Sequence, residues 1–262
     1  MKKIVTVITS LTLLAALGGC KPSASGWKSY SGDKTIEQRV DSVLNLMTLE
    51  EKIGQMAQFS CNWDVTGPIM ADDFEPYLRK GLVGSIFNAY TVDGVRKLQE
   101  MALAESRLKI PVLFGYDVIH GFRTIFPMPL AEASSWDLEL MRKSAAIAAE
   151  EASAEGIHWT FAPMVDIARD ARWGRVMEGA GEDPYLGSLI AKARVEGFQG
   201  GKDWQSLQDL HTVLACCKHF AAYGAAESGR DYNNAELSLN TLMNYYMPPY
   251  KAAHEAGVAT YM

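Results

Sequence analysis

Ionisable side chains gather where strand-like runs of this sequence end. Asp117 follows the apolar run Ile110–Tyr116, Asp166 and Arg169 follow Ile157–Phe161, and Lys218 and His219 close a run that begins at Thr212. Each has a plain alternative. Asp117 serves equally as a helix N-cap or a loop carboxylate. The stretch Arg169-Asp170-Ala171-Arg172-Trp173-Gly174-Arg175 packs three arginines, an aspartate and a tryptophan into seven residues. It reads as an ion-paired loop, or as one in which an arginine holds hydroxyls or orients a carboxylate. Lys218 is the strongest signal, because a lysine ending an apolar strand is seldom buried without a partner. If the strand continues through His219, the two side chains point to opposite faces. His158, inside a strand-like run, reads as a satisfied core histidine.

The elements that must position these groups alternate between helix and strand. Thr35 with Gln38 and Thr48 with Glu51 have capping-box spacing and open helices over 36–46 and 49–57. Val83–Phe87 reads as a buried strand, followed by a helix over Val92–Arg107 and a strand over Ile110–Tyr116. Asp137 caps a long helix with apolar positions at Leu138, Met141, Ala145, Ala148 and Ala152, which Gly156 ends. A strand over Ile157–Phe161, a helix over Tyr185–Gln199 and a strand over Thr212–His219 come next. Pro248 and Pro249 suit the first turn of another helix, closed by Gly257, before a strand starting at Val258.

Apolar strands alternating with helices of this length imply a parallel sheet covered by helices. A doubly wound sheet and a closed barrel compete. No GxGxxG or GxxxxGK[ST] follows a strand, whereas polar residues do stand at successive strand ends. That favours an α/β fold of the TIM-type (β/α)8 barrel class, with a site built from the βα loops. About five strands are visible, so the expectation is the N-terminal part of such a barrel only, with the chain truncated.

Composition sets the outer bounds. The 262 residues are 48% hydrophobic and 21% charged with a net charge of −6, ordinary for a globular protein. The absence of a basic run argues against a nucleic-acid partner; a neutral or polar small substrate fits better. Lys2 and Lys3 precede an apolar run, Ile4 to Leu17, and then Gly18-Gly19-Cys20. This resembles a bacterial lipobox: a signal peptide over 1–19, with lipidation at Cys20 as the membrane anchor. Residues 21–33 form a flexible tether, and 34–262 the folded domain. Cys216 and Cys217 read as small buried hydrophobes. Neither a CxxC pair nor HExxH occurs, so no metal is expected.

Motifs in a fixed order bring these fragments together. Thr48-Leu49-Glu50-Glu51-Lys52-Ile53-Gly54-Gln55-Met56 and Gly115-Tyr116-Asp117-Val118-Ile119-His120-Gly121 come first. Asp170–Arg175 follows with Glu178 and Gly181-Glu182-Asp183-Pro184, then Lys218-His219-Phe220-Ala221-Ala222-Tyr223-Gly224 and Met247-Pro248-Pro249-Tyr250-Lys251. The series resembles glycoside hydrolase family 3, nearest its periplasmic β-glucosidases, from about residue 34 onward. The resemblance implies a retaining β-glucosidase acting on terminal β-D-glucosyl residues of glucosides or gluco-oligosaccharides. It implies no cofactor, and a lipid-anchored periplasmic location. Asp117, Arg175, Lys218 and His219 match residues that grip the hydroxyls of the first sugar; Arg172 is assigned to supporting its loop.

The resemblance also implies that the two reacting carboxylates are missing here. The family's nucleophile lies on a later strand and its acid/base in a second domain, both expected beyond Met262, so the chain as given is expected to be inactive. An open parallel barrel leaves an unpaired edge and is not expected to fold stably. The loop Ala221–Tyr232 holds no histidine, which argues against the β-N-acetylglucosaminidase branch. A non-catalytic sugar-binding lipoprotein, or a decayed glycosidase fragment, is the alternative.

Overall fold

The structure is a computed structural model that describes residues 35–61, 73–203 and 205–262. The leader with Cys20 and the tether at 21–33 lie outside them. The chain divides into two compact units, one ending at Gly115 and the other running Tyr116–Met262.

In the first unit both capping boxes form. Thr35 opens α1 (Ile36–Leu44) and Thr48 opens α2 (Leu49–Gln55), each accepting from the backbone N–H three residues on while that residue's side chain accepts the threonine N–H. Both helices stop two residues before the expected ends. Three parallel strands follow in register: β1 (Gln58–Ser60), β2 (Ser85–Phe87) and β3 (Leu113–Tyr116), with Phe59 beside Ile86 and Ile86 beside Phe114. The sequence reading missed β1, whose three residues are too few to show a period. Helix α3 (Glu75–Arg79) precedes β2 and α4 (Val92–Glu105) connects β2 to β3. The core is Leu78, Val83, Ile86, Leu98 and Phe114, all nearly inaccessible to solvent. Gly84 is required where it stands, because a Cβ there would lie 1.9 Å from the Gln55 carbonyl oxygen. Arg107 pairs with the buried Glu51 at 2.5 Å and holds its carboxyl below the usual range.

The second unit begins with α5 (Pro129–Ala133) and α6 (Leu138–Ala154), the latter capped by Asp137 accepting from Leu140 N–H at 2.9 Å. After β4 (Trp159–Thr160) comes α7 (Pro184–Gln199). Asp183 caps α7, Pro184 opens it, and Gly200 ends it in the left-handed conformation at φ 73°. Strand β5 (Cys216–Cys217) leads to a single turn α8 (Leu239–Thr241), a π-helical turn over Leu242–Tyr246, α9 (Met247–Glu255) and β6 (Thr260–Tyr261). Both α6 and α9 pack on α7. The strands run parallel: Trp159 bridges Leu214, Met164 bridges Lys218, and Cys216 pairs with Thr260. Six strands stand among the described residues, one more than expected.

The strands are shorter than their apolar runs because residues such as Ile157 and Val213 are buried without joining a ladder. Cys216 and Cys217 are fully buried, as read from sequence. The reading of His158 as a core histidine is wrong: it is exposed just before β4, on the outward side of an alternating segment.

Candidate sugar-binding site

The second unit brings three βα connections together. Asp117 begins no helix, which removes its N-cap reading. Its Oδ1 accepts from Lys218 Nζ at 3.2 Å. The lysine side chain is 5% exposed and the aspartate 27%, so the ammonium is buried and the carboxylate is reachable from solvent. Lys218 thus has the partner that its position required.

Strand β5 ends at Cys217, so the alternation expected of Lys218 and His219 does not apply. Lys218 instead turns to Asp117, and the His219 ring to Asp166. Burial pushes the Glu178 carboxyl up, but the Arg175 guanidinium and, after it, the Lys218 ammonium bring it below its ordinary value. Arg175 grips Glu178 through two bonds, Nε to Oε1 at 2.6 Å and Nη2 to Oε2 at 2.7 Å. It also lies over the Tyr223 ring, 5.5 Å from the centroid.

The three arginines of the Arg169–Arg175 loop do different jobs. Arg172 forks onto Asp170 at 2.6 and 2.9 Å, which pushes the Asp170 carboxyl down to about 2. Its side chain is 71% exposed, consistent with a role in the loop's own ion pairing. Arg169 lies over the Tyr245 ring. Only Arg175 joins the cluster. The loop is anchored by buried Trp173, whose Nε1 donates to Asp231 at 3.1 Å, the same carboxylate that accepts from Tyr223 Oη.

Asp166 is a junction of the cluster, noted in the sequence only as a strand-end carboxylate. It accepts from the backbone N–H of His219 and of Tyr223 and bonds the His219 ring and the Tyr250 phenol. Its apolar flanks, Val165 and Ile167, are the local sign of a buried carboxylate that needs partners; its distant partners left no such sign. Behind it lies a cavity of about 10 Å³, bordered by Asp166, Glu178 and Arg194. Arg194 pairs with Glu132 at 2.6 Å, both side chains being buried, and also donates to the Ile119 carbonyl, two residues after Asp117.

Residues 48–262 match the family described as Glycosyl hydrolase family 3 N terminal domain. The chain is 44% identical over 223 residues to the periplasmic beta-glucosidase of Salmonella typhimurium, covering 85% of this chain and 28% of that protein. It is 32% identical over 273 residues to a putative beta-xylosidase of Formosa agariphila, covering 97% of this chain and 35% of that protein. Among solved structures, the beta-glucosidase of Listeria innocua in complex with isofagomine superposes with a TM-score of 0.80 at 42% identity, over 87% of this chain and 32% of that one. The chain therefore spans about a third of the length of these relatives. Its fold class is α/β, the N-terminal part of the TIM-type (β/α)8 barrel expected from the strand-end pattern. With a family match running from residue 48 to residue 262, the chain belongs to glycosyl hydrolase family 3.

Proposed function

We propose that the protein is a retaining β-glucosidase, releasing terminal β-D-glucosyl residues, and that Asp117, Arg175, Lys218 and His219 form the subsite for the first sugar. The observation that carries this reading is the gathering, from three βα connections, of a reachable carboxylate on a buried ammonium, Asp117 with Lys218, and of a guanidinium and an imidazole, Arg175 and His219, that meet the same Tyr223 ring. A carboxylate such as Asp117 accepts from two neighbouring sugar hydroxyls, while Lys218 and Arg175 donate to others. Such bonds strengthen as the ring approaches its oxocarbenium-like transition state, so that binding assists the chemistry.

The carboxylates of this cluster bind and brace and do not react. The Asp166 side chain has no exposed surface. Glu178 is held by Arg175 and lowered in pKa, so it is ionised at neutral pH and unsuited to protonate a leaving group. Asp117 is committed to Lys218. On this reading the nucleophile and the acid/base come from elsewhere in the full-length protein.

The periplasmic beta-glucosidase among the relatives supports a periplasmic location, and Gly18-Gly19-Cys20 supports a lipid anchor. Incorporation of labelled palmitate that disappears in Cys20→Ser tests the anchor. The activity is tested on the full-length natural protein with an aryl β-glucoside and laminaribiose, following the first-formed anomer by NMR. Release of β-glucose supports the proposal. Absence of both hydrolysis and glucose binding overturns it. Glucose binding without hydrolysis favours a non-catalytic sugar-binding lipoprotein, and preference for an aryl β-xyloside moves the assignment to a xylosidase.

A further inference from the structure

Four hydrogen-bond contacts converge on the buried Asp166 carboxylate, two on each oxygen. Its Oδ2 accepts the backbone N–H of His219 at 2.9 Å, and its Oδ1 accepts the backbone N–H of Tyr223 at 3.1 Å. Each oxygen takes a second partner: His219 Nδ1 on Oδ2 at 2.9 Å and the Tyr250 hydroxyl on Oδ1 at 3.0 Å. A backbone N–H can only donate, and an ionised carboxylate only accepts. Oδ2 therefore acts as an acceptor, and the ring nitrogen facing it is the one that bears hydrogen.

The surroundings hold the ring in that setting. The Tyr223 ring meets the imidazole edge-to-face at 5.0 Å. Turning the imidazole over would place a carbon against Oδ2 and lose the bond. The single hydrogen of the Tyr250 hydroxyl is shared between Asp166 Oδ1 and the His219 carbonyl, the latter at 2.5 Å, so the backbone under the ring meets the junction at both its N–H and its C=O. Tyr250 is nearly inaccessible to solvent, whereas the His219 side chain is 21% exposed; the ring thus keeps an open edge.

We propose that Asp166 is a positioning residue that holds the His219 hydrogen on Nδ1, so that Nε2 is the atom the ring offers to a sugar hydroxyl. The proposal rests on the sugar-subsite reading above and deepens it. A neutral His219 then accepts from a hydroxyl whose oxygen remains free to accept from a cationic neighbour. Carboxylates that orient a histidine from behind act in this way at metal and acyl-transfer sites. Here the same device would set the polarity of a hydrogen bond to substrate.

Two-bond proton–nitrogen NMR on the full-length protein labelled with 15N-histidine reads the tautomer directly. His219→Gln assigns the signal. The expected result is a ring protonated on Nδ1, with added glucose shifting Nε2 and leaving Nδ1 in place. A neutral ring protonated on Nε2 overturns the proposal. Tyr250→Phe leaves the Oδ2 to Nδ1 bond intact and should retain the tautomer; a switch to Nε2–H in that variant overturns the assignment to Asp166. In Asp166→Asn a single side-chain oxygen cannot serve both backbone N–H groups. That variant should show mixed tautomers and bind glucose about 10- to 100-fold more weakly, and the wild-type spectrum decides the matter if it does not fold. An Nδ1–H ring that ignores glucose overturns the sugar subsite but leaves the positioning by Asp166 standing.

Discussion

Replacing Asp117 by alanine should have two separable consequences, one for stability and one for binding. Lys218 Nζ lies 3.2 Å from Asp117 Oδ1, on a side chain only 5% exposed. At that separation the attraction is about 5 kcal/mol for an effective dielectric of about 20. It stands against several kcal/mol of lost ammonium hydration. The intact pair is therefore near balance, but the broken pair is not. The stranded ammonium keeps its desolvation cost without a partner, and Asp117→Ala should lose about 3–5 kcal/mol of stability. Adding Lys218→Met removes the stranded charge at similar volume and should recover most of that loss. Sugar affinity should not return, because the carboxylate that accepts from hydroxyls is still absent. Two charge-assisted bonds at about 1.5 kcal/mol or more each predict at least about a 100-fold weaker complex. Urea denaturation and glucose calorimetry on the full-length single and double variants measure both quantities. A stability loss below about 1 kcal/mol, the range of an exposed pair, would refute the burial argument. Restored glucose affinity in the double variant would refute the role given to Asp117.

Glu178 has a folded pKa below its ordinary value of 4.5, so its stabilising contribution is present above that pH and is lost as pH falls through the folded value. The stability gap between wild type and Glu178→Gln should accordingly be constant above about pH 4.5 and shrink as the pH falls below it; a gap that does not change on acidification contradicts the ion-pair account. Arg194→Met leaves the Glu132 carboxylate buried and alone, and should lower stability by about 3–5 kcal/mol. Most of this should return in Arg194→Met with Glu132→Leu, as read by thermal denaturation. Gly197 has no room for a methyl group, since its Cβ would lie 2.3 Å from the Arg142 carbonyl oxygen where α7 meets α6. Gly197→Ala should cost about 1–3 kcal/mol, and a neutral substitution there would show that the helices can part cheaply.

Features decided within a few residues were legible in the sequence. The two capping boxes and the Asp137 cap formed as read, because a cap depends on a donor and acceptor three positions apart; the prolines stand in the first turn of α9, where a missing N–H costs nothing. The helices between strands were legible for the same reason, through their 3.6-residue period. Strand β1 and helix α5 were not, since three and five residues carry no period. The strand boundaries were overextended because burial alone makes an apolar run, whereas a strand also needs a hydrogen-bonded neighbour.

The candidate site divides along the same line. By itself the sequence determined which residue types stand at the strand ends, and their order identified the family. It also showed that Lys218 needed a partner, because a buried ammonium is too costly to leave alone. Only the tertiary structure decided who the partners are. Asp117 and Lys218 lie 101 residues apart, and Asp166 and Tyr250 lie 84 apart. No local pattern can encode such pairings, because they arise when separate βα connections are brought to one place by the packing of the helices and strands beneath them. That packing separates Arg175, held against Glu178 inside the cluster, from Arg172, paired outside it, although the two stand three residues apart in one loop.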